Sequence, residues 1–316
     1  MDKEFIETRF GRIPTKELTC PNILCNDSCS FSNYLPKLYD KYIDTHSLPL
    51  SVCIEGNWID IIPSNFDKIK TTRLDKVLFL RAGSAVRTVL PNQLTPKLAY
   101  FIGYFVGDGG LKDTQKTYKK VKRFEHKIII CDEFAVQVEF IQKLFKESFG
   151  ILPPIRTERI EKGESLFYIN PTNKVVYRFL TKVFGFPPGP KTENIKIPKL
   201  ICDASDEIKK WFIRGVLDAD GDTRAVEAGF NSQARIKLRM KSKTFIQEMK
   251  ELIQNTFNVS VNGPYLDKGN NSAYIQVERK KDIMALGHQT IFIHPIKRWR
   301  LEQTCKHLLN GKQSVF

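Results

Sequence analysis

Acidic residues recur at short, regular spacing in one part of the chain. The segment Trp211 to Asp222, WFIRGVLDADGD, has the pattern of an apolar helix that ends in the alternating acids Asp218, Asp220 and Asp222. Acids at a helix C-terminus face the negative end of the helix dipole, which costs a few tenths to about 1 kcal/mol per group. This arrangement predicts that a cation compensates the acids.

A second segment has the same pattern at an offset of 112 residues. The segment Leu98 to Gly110, LAYFIGYFVGDGG, aligns with the first through small residues and one acid: Gly103 on Gly215, Gly107 on Ala219, Asp108 on Asp220 and Gly109 on Gly221. Downstream, LFKESFG aligns with LIQNTFN, FYIN with YIQV, and GFPPGPK with FIHPIK. An ordinary helix C-cap or turn would explain either motif alone, but two copies in register indicate a duplicated unit.

Hydrophobic periodicity predicts the same elements in each copy, namely a helix, two strands, a helix, two strands and a helix. The predicted fold class is α+β, with tandem αββαββα repeats over residues 94–203 and 204–316. Residues 1–93 form a small N-terminal domain of uncertain fold. They include a strand-like stretch, SVCIEGNWIDIIP, and a helix-like stretch, NYLPKLYDKYIDT.

Small residues on the two acidic helices predict that these helices pack on each other. The predicted helix-interface residues are Gly103, Gly107, Gly215 and Ala219. They lie one turn apart on each helix, where missing side chains let two backbones come close. Parallel packing around a pseudo-two-fold axis would bring Asp108 beside Asp220. Because adjacent carboxylates repel, a divalent cation is their natural compensation, and oxygen ligands with a phosphate partner favour Mg²⁺ over Zn²⁺.

The net charge of +15 is distributed unevenly. Residues 1–93 contain 12 basic and 11 acidic residues, whereas residues 94–203 and 204–316 each contain 19 basic and 12 acidic residues. Each repeat therefore carries +7. An excess confined to one region is typical of a protein that binds a polyanion such as nucleic acid, and a solvated basic surface is the alternative. The near-neutral first region is either an accessory domain that contacts flanking DNA or a remnant of an unrelated module.

One predicted strand carries its cations on a single face. In ARIKLRMK, basic residues alternate strictly with apolar ones, as in a half-buried strand. A like-charged strand face repels itself and is tolerated mainly when an anion lies across it, so a face that grips a duplex is favoured over a merely solubilising one. The predicted DNA-binding residues are Lys116, Lys119, Lys120, Lys122, Arg123, Arg156, Arg159, Arg224, Arg235, Lys237, Arg239 and Lys241.

Composition also indicates in which cellular compartment the protein is expected. The longest apolar run, LAYFIGYFVG, has half of the ~20 residues that a membrane span needs, and the charged start of the chain is unlike a secretion signal. We therefore expect an intracellular protein, cytoplasmic or nucleoid-associated in a prokaryote. Seven cysteines indicate free thiols. Cys20, Cys25 and Cys29, with His46 or Cys53, do not have a standard zinc spacing, so buried thiols are favoured over a metal site.

The two motifs carry a resemblance to a known family. FIGYFVGDG (Phe101 to Gly109) and IRGVLDADG (Ile213 to Gly221) resemble the paired signature of the LAGLIDADG homing endonucleases. The first copy departs by having Val106 at the place of the earlier acid. The resemblance extends over residues 94 to about 303 and includes the GPK and HPIK segments.

This resemblance implies a fold, an activity and a set of site residues. Two-motif members are monomers that act as pseudo-dimers, lay saddles of antiparallel sheets along the major groove of a long asymmetric double-stranded DNA site, and cut both strands with divalent metal. It implies Mg²⁺, with Mn²⁺ able to substitute, as the cofactor. The implied metal-site residues are Asp108, Asp220, Gly107 and Ala219. Asp108 and Asp220 are then catalytic together with Lys191 and Lys297, which polarise the attacking water or stabilise the transition state; a merely phosphate-positioning role for the lysines is the alternative.

Two other functions use the same scaffold without cleavage. A DNA-binding regulator or an RNA intron maturase typically lacks one or both acids, and this sequence retains both, which favours an endonuclease. A purely structural or protein-binding role would leave the charge of +7 per repeat unexplained. Protein splicing is not expected, because the chain begins with Met1 and ends with Ser314, Val315 and Phe316.

Overall fold

The computed structural model describes residues 91, 94–118, 121–159, 165–189, 193–223, 234–267 and 269–310, together with six short strands nearer the start of the chain. These strands form three antiparallel hairpins: β1 (Phe5–Thr8) with β2 (Gly11–Pro14), β3 (Ser51–Ile54) with β4 (Asn57–Asp60), and β5 (Leu80–Arg81) with β6 (Ser84–Ala85). The second hairpin lies in the stretch predicted as strand-like. The helix-like stretch and Cys20, Cys25, Cys29 and His46 lie outside the described residues.

The two repeats contain the same elements in the same order. The first consists of α1 (Pro96–Asp108), β7 (Gly109–Tyr118), β8 (Val121–Asp132), α2 (Ala135–Phe149), β9 (Ile155–Arg159), β10 (Ser165–Ile169) and α3 (Lys174–Lys182). After the short helix α4 (Lys199–Cys202), the second consists of α5 (Asp206–Asp220), β11 (Gly221–Thr223), β12 (Ile236–Met240), α6 (Lys243–Phe257), β13 (Asn262–Asp267), β14 (Ser272–Val277) and α7 (Lys280–His288), followed by α8 (Pro295–Asn310). The predicted αββαββα order is confirmed in both repeats.

Each repeat forms one antiparallel four-stranded sheet. The strand orders are β7-β8-β10-β9 and β11-β12-β14-β13, so the topology is identical in the two repeats. The predicted α+β class is therefore confirmed. In each repeat the first strand begins at the residue after the acidic helix, Gly109 or Gly221. This direct junction puts the acid at the end of each helix beside the sheet.

The helices cover one face of each sheet. On β14, Ala273, Ile275 and Val277 are buried against the helical layer, whereas Tyr274 and Gln276 on the opposite face are only half-buried. This alternation has the period of two residues that a one-sided strand requires. The sheets therefore keep one face available for a partner. Among the described helices, none combines the length and apolar composition that crossing a bilayer would need.

The helices α1 and α5 pack in parallel through backbone contacts. A Cβ added to Gly103 would lie 2.1 Å from the Phe212 carbonyl oxygen, and one added to Gly215 would lie 2.1 Å from the Tyr100 carbonyl oxygen. With the offset of 112 residues, Gly103 corresponds to Gly215 and Tyr100 to Phe212. Each contact is thus the image of the other, as at a two-fold interface, within one chain.

The contact of α1 with α5 lies in the centre of the core. Every residue of α1 from Leu98 to Val106 is buried. A helix that is apolar all round is suited to such a position. The helix begins with Pro96 at its first position, and the Thr95 hydroxyl accepts a hydrogen bond of 3.1 Å from the Leu98 amide. Both features favour a helix start at this residue.

Adding one methyl group at the helix contact should destabilise the protein. We expect Gly103→Ala and Gly215→Ala each to lower the free energy of unfolding by about 2 kcal/mol or more, because overpacking costs about 1–3 kcal/mol and the obstructing atoms are main-chain atoms. The effect would oppose the helix preference for alanine, which is worth roughly 0.5–1 kcal/mol. Urea denaturation measures it.

Gly110→Ala is the matched control, because a Cβ at Gly110 meets no atom within 4 Å. It should unfold within about 0.5 kcal/mol of the parent, as surface substitutions usually do. Parental stability in Gly215→Ala would show that the two backbones are further apart than described.

Candidate active site

The acids that end the two central helices line one open cleft. Asp108 and Asp220 border a space of about 510 Å³ together with Ala219 and Lys297. Gly107 lies at the same place, because a Cβ on it would be 2.4 Å from the Ala219 Cβ and 2.6 Å from Asp220 Oδ2. A larger residue at position 107 would therefore displace the Asp220 carboxylate.

A lysine occupies the C-terminal end of α5. The Lys297 ammonium donates hydrogen bonds to the carbonyl oxygens of Asp218 at 2.6 Å, Ala219 at 2.7 Å and Leu217 at 3.3 Å. The carbonyls of a last helical turn lack amide partners within the helix, and here the Leu217 carbonyl also accepts from the amide of the capping residue Gly221. An ammonium group of the chain itself therefore lies at this helix end.

The three alternating acids of the second motif have three different surroundings. Asp218 is fully buried, and Asp220 borders the cleft. Asp222 also lines the cleft, but its side chain is exposed and its carboxylate lies 3.8 Å from the Arg300 guanidinium. The sequence pattern alone treats them as equivalent. The three acids are distinguished only by their burial and by the groups that each carboxylate contacts.

Asp218 connects α5 to the segment that precedes Lys297. Its carboxylate accepts hydrogen bonds from the Tyr100 hydroxyl at 2.6 Å, the Ile293 amide at 3.0 Å and the His294 amide at 2.9 Å. Burial raises the pKa of Asp218 to about 6, although these donors and nearby His294 act in the opposite direction. Sequence reasoning did not assign this anchoring role. The signal available was that the first repeat has Val106 at the equivalent position.

A second buried acid, Asp132, also borders the cleft and was not singled out from the sequence. Its carboxylate accepts hydrogen bonds from the Tyr104 hydroxyl and the Phe134 amide, and it lies 3.6 Å from His294 Nε2. Burial alone would raise the pKa of Asp132, but attraction to His294 and the hydrogen bonds hold it below its usual value. Asp132 belongs to the first repeat and His294 to the second, so the pair joins the two.

The predicted cationic strand face borders the same cleft. Arg235, Lys237 and Arg239 line it from β12, whereas the alternate residues Ile236 and Leu238 are buried. Burial, followed by repulsion from the neighbouring arginines, lowers the pKa of Lys237. The acids and a row of cations therefore share one concave surface.

Side chains of the neighbouring strands orient two of these cations. The Lys237 ammonium lies 3.7 Å from the ring centre of Tyr274, a cation–π distance. Arg239 Nη1 lies 3.3 Å from Asp267 Oδ2. Tyr274 and Asp267 were not predicted as functional residues, because their contacts depend on the pairing of β12 with β14 and of β14 with β13.

Other predicted site residues lie beside this cleft, on the first sheet or outside the described residues. Lys241 is exposed just after β12 and lines a neighbouring pocket with Gly107, Asp220 and Arg239. Arg156 and Arg159 are exposed on β9 of the first sheet. For Lys116, Lys122 and Arg123 the description covers only the backbone, within β7 and β8. Lys191, Lys119, Lys120 and Arg224 lie outside the described residues.

Comparison with known sequences gives short matches within longer proteins. No family model matches the chain. It is 28% identical over 166 residues to glutamine–fructose-6-phosphate aminotransferase of Methanocaldococcus jannaschii, covering 52% of this chain and 13% of that protein. It is 33% identical over 101 residues to the probable translation initiation factor IF-2 of the same organism, covering 31% and 8% respectively. The chain thus spans only a small part of the length of these curated relatives.

Comparison with solved structures gives matches that cover nearly all of the other chain. A variant of the homing endonuclease I-DmoI is 17% identical, with a TM-score of 0.46, and the match covers 66% of this chain and 98% of that one. I-LtrWI bound to its target DNA is 10% identical, with a TM-score of 0.49, covering 70% and 92% respectively. The second of these structures is a LAGLIDADG homing endonuclease.

Removing the buried carboxylate should test the anchor of the second repeat. We expect Asp218→Val, which copies the residue of the first repeat, to lower the free energy of unfolding by about 2–4 kcal/mol. Two backbone amides would lose their acceptor, and each unsatisfied buried donor costs about 1–3 kcal/mol. Chemical denaturation measures the change.

Asp206→Val is the matched control on the same helix, because the Asp206 side chain is 76% exposed. Its effect should stay below about 1 kcal/mol, the scale of an exposed charge near a helix dipole. Equal effects of the two substitutions would contradict an anchoring role for Asp218.

Proposed function

We propose that this chain is a LAGLIDADG homing endonuclease that hydrolyses phosphodiester bonds in both strands of a specific DNA site. The observation that carries the proposal is the shared cleft, in which Asp108 and Asp220, at the ends of two parallel helices, face the cationic strand β12. Paired acids alone would repel a polyanion. Acids surrounded by arginine and lysine instead suit a site that binds phosphate and metal together.

The oxygen donors in the cleft fit a hard divalent cation. Proteins usually bind Mg²⁺ through one or two carboxylates plus substrate phosphates and water, and Asp108 and Asp220 both line this cleft. Asp108 and Asp220 would supply the carboxylates, and the carbonyls of Gly107 and Ala219 are candidate further ligands. When bound, Mg²⁺ or Mn²⁺ supplies charge neutralisation at the scissile phosphate and lowers the pKa of a water.

Lys297 would act as a fixed positive charge at the C-terminal end of α5, in the cleft that Asp220 also lines. Its three carbonyl partners hold the ammonium at the end of α5. An ammonium at this place favours the developing negative charge of the transition state without having to reorganise. The Ala219 carbonyl already accepts one of these bonds and retains a second lone pair for a metal. Lys191 is proposed as the counterpart of Lys297 in the first repeat.

The two sheets would bind double-stranded DNA along their cationic faces. Arg235, Lys237 and Arg239 project from β12 at the period of two residues, which suits contact with successive base edges in the major groove. Arg156 offers a similar charge on the open face of β9, whereas Arg159, three residues further on, lies on the opposite face. The two repeats differ in sequence, so the proposed site is long and asymmetric. Because both helix faces of the interface belong to one chain, we propose a monomer.

Replacing either cleft acid should separate binding from cleavage. We expect Asp108→Asn and Asp220→Asn to reduce double-strand cleavage at least about 100-fold, the usual scale for losing one electrostatic group of an active site. DNA affinity should stay equal or rise, because a negative charge near phosphate is removed. The measurement is cleavage in Mg²⁺ of a site selected from a randomised duplex library, with affinity measured in Ca²⁺.

Asp206→Asn is the control for an acid outside the cleft and should cut at the parental rate. Chelation of the divalent metal should stop the parent, and Mg²⁺ or Mn²⁺ should restore it. If the parent binds DNA with high affinity and cuts in neither metal, the protein is a silent DNA-binding regulator instead. Preference for RNA over duplex DNA would favour a maturase.

The cations of β12 should contribute to sequence selectivity. We expect Arg235→Ala and Arg239→Ala each to weaken binding by about 1–3 kcal/mol and to relax selectivity at one base pair, as for a bidentate contact with guanine. A phosphate contact would instead weaken all sequences alike and reduce the salt dependence of binding. Binding profiles over single-base variants of the site distinguish these results.

Lys243→Ala is the matched control, since Lys243 is exposed at the start of α6, on the helical side of the sheet. It should leave the profile unchanged. Unchanged profiles for both arginine variants would place this strand face away from the bases.

A further inference from the structure

A buried contact between the repeats holds the segment that carries Lys297. We propose that Asp132 of the first repeat, acting through His294, is a positioning residue for the Lys297 ammonium of the second repeat, and that the first repeat has no equivalent device. The two cleavage sites are therefore unequal, and loss of the contact slows the cutting of one DNA strand only. This inference rests on the proposed function.

The imidazole of His294 has one orientation. Its Nδ1 accepts a hydrogen bond of 3.3 Å from the Ile296 amide. The other ring nitrogen, Nε2, therefore faces Asp132 and lies 3.6 Å from its Oδ2. The Phe134 ring meets the imidazole edge-on, with a centroid distance of 5.4 Å. Two residues of the first repeat therefore fix a ring of the second.

Asp132 is itself held on the first repeat. One of its oxygens accepts from the Phe134 amide at 2.8 Å, and the other accepts from the Tyr104 hydroxyl of α1. The side chains of His294 and Asp132 are only 1% and 8% exposed. Although both residues line the cleft, little of either side chain is exposed to a partner. We therefore assign their effect on cleavage to the residues that they hold.

Only two residues separate His294 from Lys297 in the chain. Asp218 accepts the hydrogen bond of the His294 amide, and α8 begins at Pro295, so the turn between them is short and held at both ends. The Lys297 side chain then reaches the last carbonyls of α5. A shift of the His294 ring would move the first turn of α8 and, with it, the ammonium.

The corresponding segment of the first repeat cannot be held in this way. The alignment of FIHPIK with FPPGPK puts Pro187 and Pro188 at the places of Ile293 and His294. Proline has no amide hydrogen to donate, and the acceptor is also absent, because Val106 stands where the second repeat has Asp218. The first segment is attached instead by a bond of 2.8 Å from the Gly189 amide to the Leu111 carbonyl. The two amide donors and their carboxylate acceptor are thus present together in the second repeat, and the first repeat lacks all three at the matching positions.

The partner acid is also particular to the first repeat. Asp132 lies three residues before the first residue of α2, and the residue at that place before α6 is Met240. A methionine offers no charge to a histidine. The Asp132–His294 contact therefore has no counterpart at the two positions that the pseudo-two-fold axis relates to it.

A pair of substitutions at one position tests the proposal. In His294→Asn the amide oxygen takes the place of Nδ1 and can still accept from Ile296, but the contact with Asp132 is lost. In His294→Gln the amide nitrogen takes the place of Nε2 and can donate to Asp132. The rates of cutting of the two strands are measured separately on a duplex with a different label on each strand, beside Lys297→Met, thermal unfolding and DNA affinity.

We expect His294→Asn to slow one strand at least tenfold, to leave the other within twofold, and to affect the same strand as Lys297→Met. His294→Gln should recover most of the lost rate, with DNA affinity unchanged in both. Equal slowing of both strands, or no slowing of either, would overturn the proposal. If His294→Asn is unfolded, Asp132→Asn replaces it, with the same single-strand defect required. A parent that cuts neither strand would overturn the proposed function itself, a result that differs from every outcome above.

Discussion

The close approach of α1 and α5 is the constraint on which the rest of the structure depends. Backbone atoms of the two helices meet at Gly103 and Gly215, where a single added carbon would lie 2.1 Å from a carbonyl oxygen. Because the helices are parallel, this contact also determines where their C-terminal ends lie. The acids Asp108 and Asp220, the direct junctions into the sheets and the position of the cleft all follow from it.

Bringing two helix C-termini together concentrates negative charge at one place. The dipoles of both helices point their negative ends to the cleft, and two carboxylates add to them. In the described part of the second repeat, the Lys297 ammonium and the Arg300 guanidinium offset some of this negative charge. Phosphate and metal would complete the balance in the proposed complex. In that proposed complex, the electrostatic conflict of the isolated protein would become favourable.

Local patterns were sufficient to predict the elements, because helices and strands depend on spacing within the sequence. The stretch AVQVEFIQKLFKESF has apolar residues at helical spacing and forms α2, and the alternating stretch ARIKLRMK contains β12. The repeat in register also marked Asp108, Asp220 and Lys297, which line one cleft. The roles of Asp218, Asp132 and His294 were not visible. Their partners are backbone amides and side chains distant in sequence, and neither has a local signal.

Burial added a distinction that residue type could not supply. Asp218 and Asp220 are two residues apart on one helix, yet one is fully buried and the other borders the cleft. Helical geometry puts residues two apart on different faces. A pattern of alternating acids can therefore combine a structural anchor with a candidate metal ligand in a single turn.

The joining of both motif helices in one chain has a consequence for dilution. A homodimer with the same small helix contact would dissociate as its concentration fell, and its shared cleft would disappear with it. Here the second helix is supplied by the same polypeptide, so the contact between the helices does not depend on the protein concentration. The cleft therefore persists in a single molecule. It would be as complete at a few copies per cell as in a concentrated solution.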